Sequence, residues 1–152
     1  MITIVGIGVG GELTPRARET VASADVLVGG TRQLALFPAA PETFDLTGRM
    51  KDLRPFLAER RDRNVVVLAS GDPLFYGIGS FLSRHFDALS ILPAPSSVAE
   101  AFARVGLAWE DAVVISAHGR PLADIGAALD RAGKVAVLTD ETNTPAAIGA
   151  HL

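Results

Sequence analysis

Val65-Val66-Val67-Leu68-Ala69 is an unbroken apolar run, mostly β-branched, with no polar residue alternating into it. A strand of that composition has both faces buried, the situation of a parallel sheet covered by helices on each side. The run predicts a central strand of an α/β fold, and the rest of the chain must supply parallel neighbours and helical layers.

It does so in sequence. Ile2 to Val5 reads as a first strand, followed by a glycine-rich turn and a helix that Thr14 caps and Pro15 opens, running to about Ser23. Val26-Leu27-Val28 reads as a second strand ended by Gly29-Gly30, then a short helix from Thr31 toward Phe37, which Pro38 and Pro41 break. A weaker strand over 43–46 precedes a helix over about 50–60, with Leu53, Phe56 and Leu57 on one face. After the central strand, the spacing of Phe75, Ile78, Phe81 and Leu82 predicts a helix from Leu74 to Arg84, and Ser90-Ile91-Leu92 a further strand. Ser97 and Glu100 have capping-box spacing, and Gly106 stands where that helix would end.

From Ala112 the rhythm restarts, with strands at 113–115 and 135–138 and a helix between them ending near Arg131. We therefore expect an N-terminal α/β lobe over 1–108 and the start of a second α/β lobe over 109–152. Leu152 falls inside a helix begun by Thr144-Pro145 with no terminating signal, so the second lobe is expected to be incomplete.

Composition narrows the chemistry. In 152 residues, 49% are apolar and 20% charged, which is core-forming material. The formal net charge of −3 argues against a nucleic-acid surface. There is no cysteine, so disulfides, thiolate nucleophiles and cysteine-bearing zinc sites are excluded. His85, His118 and His151 lack metal-ligand spacing, and no protein-bound metal is expected. No signal peptide or apolar run of membrane-spanning length is visible, so the expected setting is the cytosol.

Two motifs sit where α/β sheets bind ligands. Gly6-Ile7-Gly8-Val9-Gly10-Gly11 satisfies G-x-G-x-x-G after a strand, but Glu12-Leu13-Thr14 separates it from the helix, and no acidic residue ends the second strand. Both conditions of a dinucleotide site thus fail. Tight backbone geometry alone remains an alternative explanation for those glycines. Ser70-Gly71-Asp72-Pro73-Leu74-Phe75-Tyr76-Gly77 follows the central strand at its carboxyl end. Asp72 there is either a ligand-site residue or merely the cap of a helix started by Pro73.

These segments, with Pro93-Ala94-Pro95-Ser96-Ser97-Val98 after the next strand, together resemble the tetrapyrrole methylases, whose signature combines a glycine loop after the first strand with a Gly-Asp-Pro turn. Ile115-Ser116-Ala117-His118-Gly119-Arg120 resembles the start of the second domain in the branch that methylates C5 of precorrins on the cobalamin route. Val9 and Gly11-Glu12 stand where many members carry Pro and Asp.

The resemblance implies a two-lobed fold and S-adenosylmethionine as methyl donor, held largely by backbone in a cleft between lobes. Carried over by position, it implies cofactor contacts at Val9, Gly71, Asp72, Phe75, Tyr76, Ser97 and Val98. Asp72, Tyr76 and His118 are the candidates for catalysis, although a histidine after a strand is commonly just a loop hydrogen-bonder. Gly8, Gly10, Arg32 and Arg120 are the candidates for substrate contact, the arginines because precorrins carry acetate and propionate arms. Solvated surface residues are the plainer reading of both arginines. The resemblance further implies a small-molecule tetrapyrrole substrate, no membrane or nucleic-acid partner, a homodimer, and a C15-methyltransferase/decarboxylase that is either fused or separate. The competing readings are another branch of the superfamily such as a diphthine-synthase-like enzyme, a dehydrogenase, and a non-catalytic nucleotide-binding module.

Overall fold

The computed structural model describes residues 1–118 and 123–151. The chain divides into two compact units, Met1–Ser97 and Val98–Leu152. The division falls one residue into the helix that Gly106 ends, whereas the sequence places the boundary after it.

The first unit is built on a five-stranded sheet of β1 (Ile2–Ile7), β2 (Val26–Gly29), β3 (Thr43–Asp45), β4 (Val65–Ser70) and β5 (Leu89–Leu92), in the order β3-β2-β4-β1-β5. Every pairing is parallel, with Ile4 opposite both Val67 and Ile91. The apolar run is thus the middle strand, as its composition demands. Its residues alternate between two cores: Val65, Val67 and Ala69 pack with Leu53, Leu57 and Leu82 on one face, while Val66 and Leu68 pack with Ala17 and Val21 on the other. Val65, Val66 and Val67 are wholly excluded from solvent, which is why neither face of this strand tolerates polarity.

The helices that cover the sheet are α1 (Pro15–Ala22), α2 (Thr31–Leu34), α3 (Met50–Ala58) and α4 (Ile78–Leu82). The Thr14 hydroxyl accepts from Ala17 N at 3.2 Å, capping α1 ahead of Pro15. In α3, Leu53 and Leu57 are fully buried one turn apart, and Phe56 meets Phe44 of β3 at 4.1 Å between ring centroids. Glu42, just before β3, accepts from Arg60 Nε at 3.0 Å and Arg63 Nη1 at 2.5 Å. The Arg63 and then the Arg60 hydrogen bonds hold its carboxyl below the usual 4.5.

One expectation fails. The helix predicted from Leu74 is confined to Ile78–Leu82, and residues 71–77 form turns instead. Tyr76 has φ of 53°, a left-handed backbone that interrupts a right-handed helix. Asp72 accordingly does not cap a helix begun at Pro73; its Oδ1 accepts from Leu74 N at 2.8 Å, closing a side-chain turn. Gly77 is the residue that flanks α4.

In the second unit, β6 (Val113–Ser116) pairs in parallel with β7 (Val135–Leu138), accompanied by α6 (Ala123–Leu129) and α7 (Pro145–His151). The helix α5 (Ser97–Val105), which straddles the division, ends as expected at Gly106. Leu107 N donates to Phe102 O at 3.1 Å and Gly106 N to Ala103 O at 3.2 Å, the paired bonds of a glycine-terminated helix. Ala117 and Ile148 form a small core with Ile115 and Val137 around them. Among the described residues no helix is long and apolar enough to cross a membrane.

Candidate functional site

The loops that leave β1, β4 and β5 converge at the carboxyl edge of the sheet, and main-chain atoms join them. Gly71 N donates to Ile7 O at 2.7 Å, and Ala94 N to Gly71 O at 3.4 Å. A Cβ on Gly6 would lie 2.1 Å from Gly71 O and 2.6 Å from Ala94 N, so only glycine permits this approach. Gly71 itself has φ of 63°, and a Cβ there would come within 3.1 Å of Ser96 Cα. The three motifs read from the sequence are therefore neighbours in space, with Gly71 at their junction.

Beside this junction, past the ends of β2, β3 and β4, opens a cavity of about 340 Å³. Its volume lies in the range of small-molecule sites. Phe75, Tyr76 and Gly77 of the turn form one wall; Gln33, Thr47 and Ser70 supply its polar groups, and Leu46 and Ile78 its apolar ones. The Phe75 and Tyr76 rings meet edge to face, 5.1 Å between centroids and 86° between planes. Tyr76 is the one non-glycine among the described residues with positive φ, and it is 53% exposed. A left-handed backbone on a large, half-solvated aromatic costs of order 1–3 kcal/mol and is kept where surrounding structure over-determines it, as at ligand sites.

The polar groups are ordered by short local bonds. Gly30 N donates to Gln33 Oε1 at 2.8 Å, and Gln33 Nε2 donates to Ser70 Oγ at 3.2 Å. On the β3 side, Thr31 Oγ1 donates to Asp45 Oδ2 at 2.6 Å, and Thr47 N to Asp45 Oδ1 at 2.9 Å. The Thr31 bond, followed by those from Thr47, holds the Asp45 carboxyl below the usual 3.8, so Asp45 stays ionised and anchors the strand ends.

Of the residues nominated from sequence, Phe75 and Tyr76 line the cavity, and Gly71 shapes the adjoining junction. Asp72 holds the turn through Leu74 N. Ser97 is exposed at the start of α5, its N 3.7 Å from a Cβ placed on Gly71. Gly8 and Gly10 belong to the turn after β1, where Gly8 N donates to Glu12 O at 2.9 Å, and Val9 is 42% exposed on the same turn. None of these three lines the cavity, nor does Arg32, which is exposed on α2. Val98 is buried, and His118 is exposed with its backbone N donating to Ser116 Oγ at 3.4 Å; both belong to the second unit. Arg120 lies outside the described residues. Gln33 and Thr47 were not nominated, and Ser70 entered only as the first residue of its motif, although each lies at or just past the carboxyl end of a strand, which is the positional signal that identifies them.

Among the described residues, no group of three or more His, Asp and Glu is placed to hold a metal ion. For an adenosyl-sulfonium donor the materials fit: two aromatic rings on a cavity of small-molecule size, next to a junction made of glycines and carbonyls.

Comparison with known proteins gives the same family throughout. The model of the Tetrapyrrole (Corrin/Porphyrin) Methylases matches residues 1–151. A cobalt-precorrin-7 C(5)-methyltransferase of Salmonella typhimurium is 43% identical over 157 residues, covering 100% of this chain and 77% of the relative. A decarboxylating precorrin-6Y C(5,15)-methyltransferase of Sinorhizobium is 39% identical, covering 95% of this chain but 36% of the relative. The crystal structure of a precorrin-6Y methylase of cobalamin biosynthesis from Archaeoglobus fulgidus superposes with a TM-score of 0.71 at 27% identity, covering 92% of this chain and 73% of that one. A parallel sheet sandwiched by helices, a glycine-built junction of the loops after β1, β4 and β5, and these likenesses along nearly the full sequence together establish that the chain belongs to the tetrapyrrole methylases.

Proposed function

We propose that this chain is an S-adenosylmethionine-dependent C-methyltransferase acting at C5 of a precorrin or cobalt-precorrin macrocycle in cobalamin biosynthesis, working in the cytosol. The observation that carries the reading is the junction at Gly71, where all three family motifs meet beside a cavity walled by Phe75 and Tyr76. The C5 assignment draws on the Salmonella relative, named for C5 alone, most of whose length this chain covers. C15 methylation and decarboxylation are assigned to a fused or separate partner, because the chain covers only 36% of the Sinorhizobium relative named for both. A homodimer is the assembly we assign.

S-adenosylmethionine, when bound, supplies a methyl group on a positively charged sulfur. Val9, Gly71, Asp72, Phe75, Tyr76, Ser97 and Val98 are the residues we assign to holding it. Gly8, Gly10, Arg32 and Arg120 we assign to the acceptor. The chain's contribution is alignment: methyl transfer is an in-line displacement, and holding both reactants at contact distance removes most of its entropic cost. Phe75 and Tyr76 exclude water from the donor, which favours a reaction that disperses charge. Asp72, by fixing Leu74 N, keeps the turn in the conformation that presents both rings. No protein nucleophile is needed, because the macrocycle's enamine-like carbon attacks; His118 is assigned at most a proton-moving role.

The test incubates the complete protein with methyl-labelled S-adenosylmethionine and a precorrin intermediate, followed by mass spectrometry. One added labelled methyl is expected. Asp72→Ala and Ser97→Ala should weaken donor binding in a calorimeter; unchanged affinity in both would remove the donor assignment and favour a non-catalytic module.

A further inference from the structure

The hydrogen bonds around the cavity have directions that can be worked out, and they leave particular donors facing it. Gly30 N–H donates to the Gln33 side chain at 2.8 Å, so the atom it meets is the amide oxygen and the other end is the nitrogen. That nitrogen donates to Ser70 Oγ at 3.2 Å. Ser70 therefore accepts in this bond and keeps its own hydroxyl proton, while Gln33 Nε2 keeps its second one. The β3 side is the reverse. Asp45 is ionised and can only accept, so Thr31 Oγ1 spends its proton there, at 2.6 Å. In the 3.0 Å contact with Thr47 Oγ1, Thr31 must then accept, and the Thr47 proton is spent on it.

The cavity is thus lined by two neutral donors, Ser70 O–H and Gln33 N–H, with apolar surface from Leu46 and Ile78, and among the described residues no cationic side chain lines it. Two donors from adjacent strand ends match the paired oxygens of a carboxylate, and the apolar surface matches a short methylene stem.

We propose that Gln33 and Ser70 form a subsite for one carboxylate-bearing side arm of the acceptor, of acetate or propionate length. The proposal rests on the reading of the acceptor as a polycarboxylated tetrapyrrole, and it assigns to neutral donors a task that the sequence alone gives to arginine. Thr31, Thr47 and Asp45 are positioning residues: they hold the end of β3 against α2 so that Gln33 keeps its orientation.

The experiment has two readouts. The complete chain is titrated in a calorimeter with uroporphyrin, whose arms are free acids, and with its methyl ester; methyl transfer to a precorrin is measured separately at varied concentrations of each reactant. The variants are Ser70→Ala and Gln33→Glu. The second keeps the acceptor for Gly30 N and replaces the donor with a negative charge, and circular dichroism checks that both variants fold. Ser70→Ala is expected to weaken free-acid binding and raise the acceptor KM roughly tenfold or more, the size of one hydrogen bond to a charged group. Gln33→Glu should do so more strongly, with the KM for S-adenosylmethionine unchanged and the ester insensitive to both substitutions. If the free acid fails to bind, if its affinity ignores both substitutions, or if only the S-adenosylmethionine KM moves, the subsite is overturned; the last result would give Gln33 and Ser70 to the donor along with Phe75 and Tyr76. If binding depends on Ser70 and Gln33 but no methyl is transferred, the activity reading falls while the subsite stands.

Discussion

Replacing Gly6 with alanine adds one methyl group where three backbones meet, and the structure sets the size of the effect. The new Cβ would sit 2.1 Å from Gly71 O, 2.6 Å from Ala94 N and 3.2 Å from Pro93 C. Heavy atoms rest at roughly 3.5 Å or more, so the loops after β4 and β5 must retreat by about 1.4 Å and about 0.9 Å respectively. No rotamer relieves this, because the obstructing atoms are main chain and Gly6 is itself in register with Ala69 of β4. Overpacking of this kind costs about 1–3 kcal/mol. A retreat of that size also stretches the 2.7 Å bond from Gly71 N to Ile7 O past useful length, adding about 1 kcal/mol. Gly6→Ala should therefore destabilise the first unit by roughly 2–4 kcal/mol, a large share of a typical domain's total. Urea unfolding followed by far-ultraviolet circular dichroism gives the loss, and hydrogen exchange at the β1 and β4 amides localises it. A variant within about 0.5 kcal/mol of the parent, with undiminished protection of those amides, would refute the claim that the junction is close-packed backbone.

Leu57→Ala, at a position with no solvent exposure on the α3 face of the sheet, should cost about 2–5 kcal/mol by the same unfolding assay, and a smaller loss would mean that the core closes around the cavity. Glu42 has a depressed carboxyl, so its contribution to stability is fully present above the unfolded value near 4.5 and is lost as pH falls toward the lower folded value. Glu42→Gln should flatten the acid limb of stability against pH; limbs of equal slope in parent and variant would remove the Arg63 and Arg60 contacts as its cause.

What the sequence discloses here is mostly what one element decides alone. The Val65 run specifies a strand buried on both faces, and Thr14-Pro15 specifies a helix start, because burial and capping are local to those residues. The helix expected from Leu74 misleads for a physical reason: Phe75, Ile78, Phe81 and Leu82 carry helical spacing, yet Tyr76 takes a left-handed backbone, which a right-handed helix cannot contain and side-chain spacing does not report. Gly6 shows the same limit. Its place in G-x-G-x-x-G invites comparison with a dinucleotide site, while its need for a missing Cβ arises from Gly71 and Ala94, distant in sequence. Gln33, Thr47 and Ser70 were unreadable together because only the pairing of β2 with β3 and β4 brings their strand ends side by side. The motifs marked the right edge of the sheet, and the strand order decided which side chains would furnish its cavity.

Because the loops at Gly71 clasp one another through peptide groups, the clasp places few demands on neighbouring side chains. The residues facing the cavity are thereby released to change. A descendant of this scaffold would acquire a different acceptor by exchanging Gln33, Thr47 or Ser70, whereas a single methyl at Gly6 would spring the clasp. Novelty in such a protein is expected in the furnishings and seldom at the hinge pin.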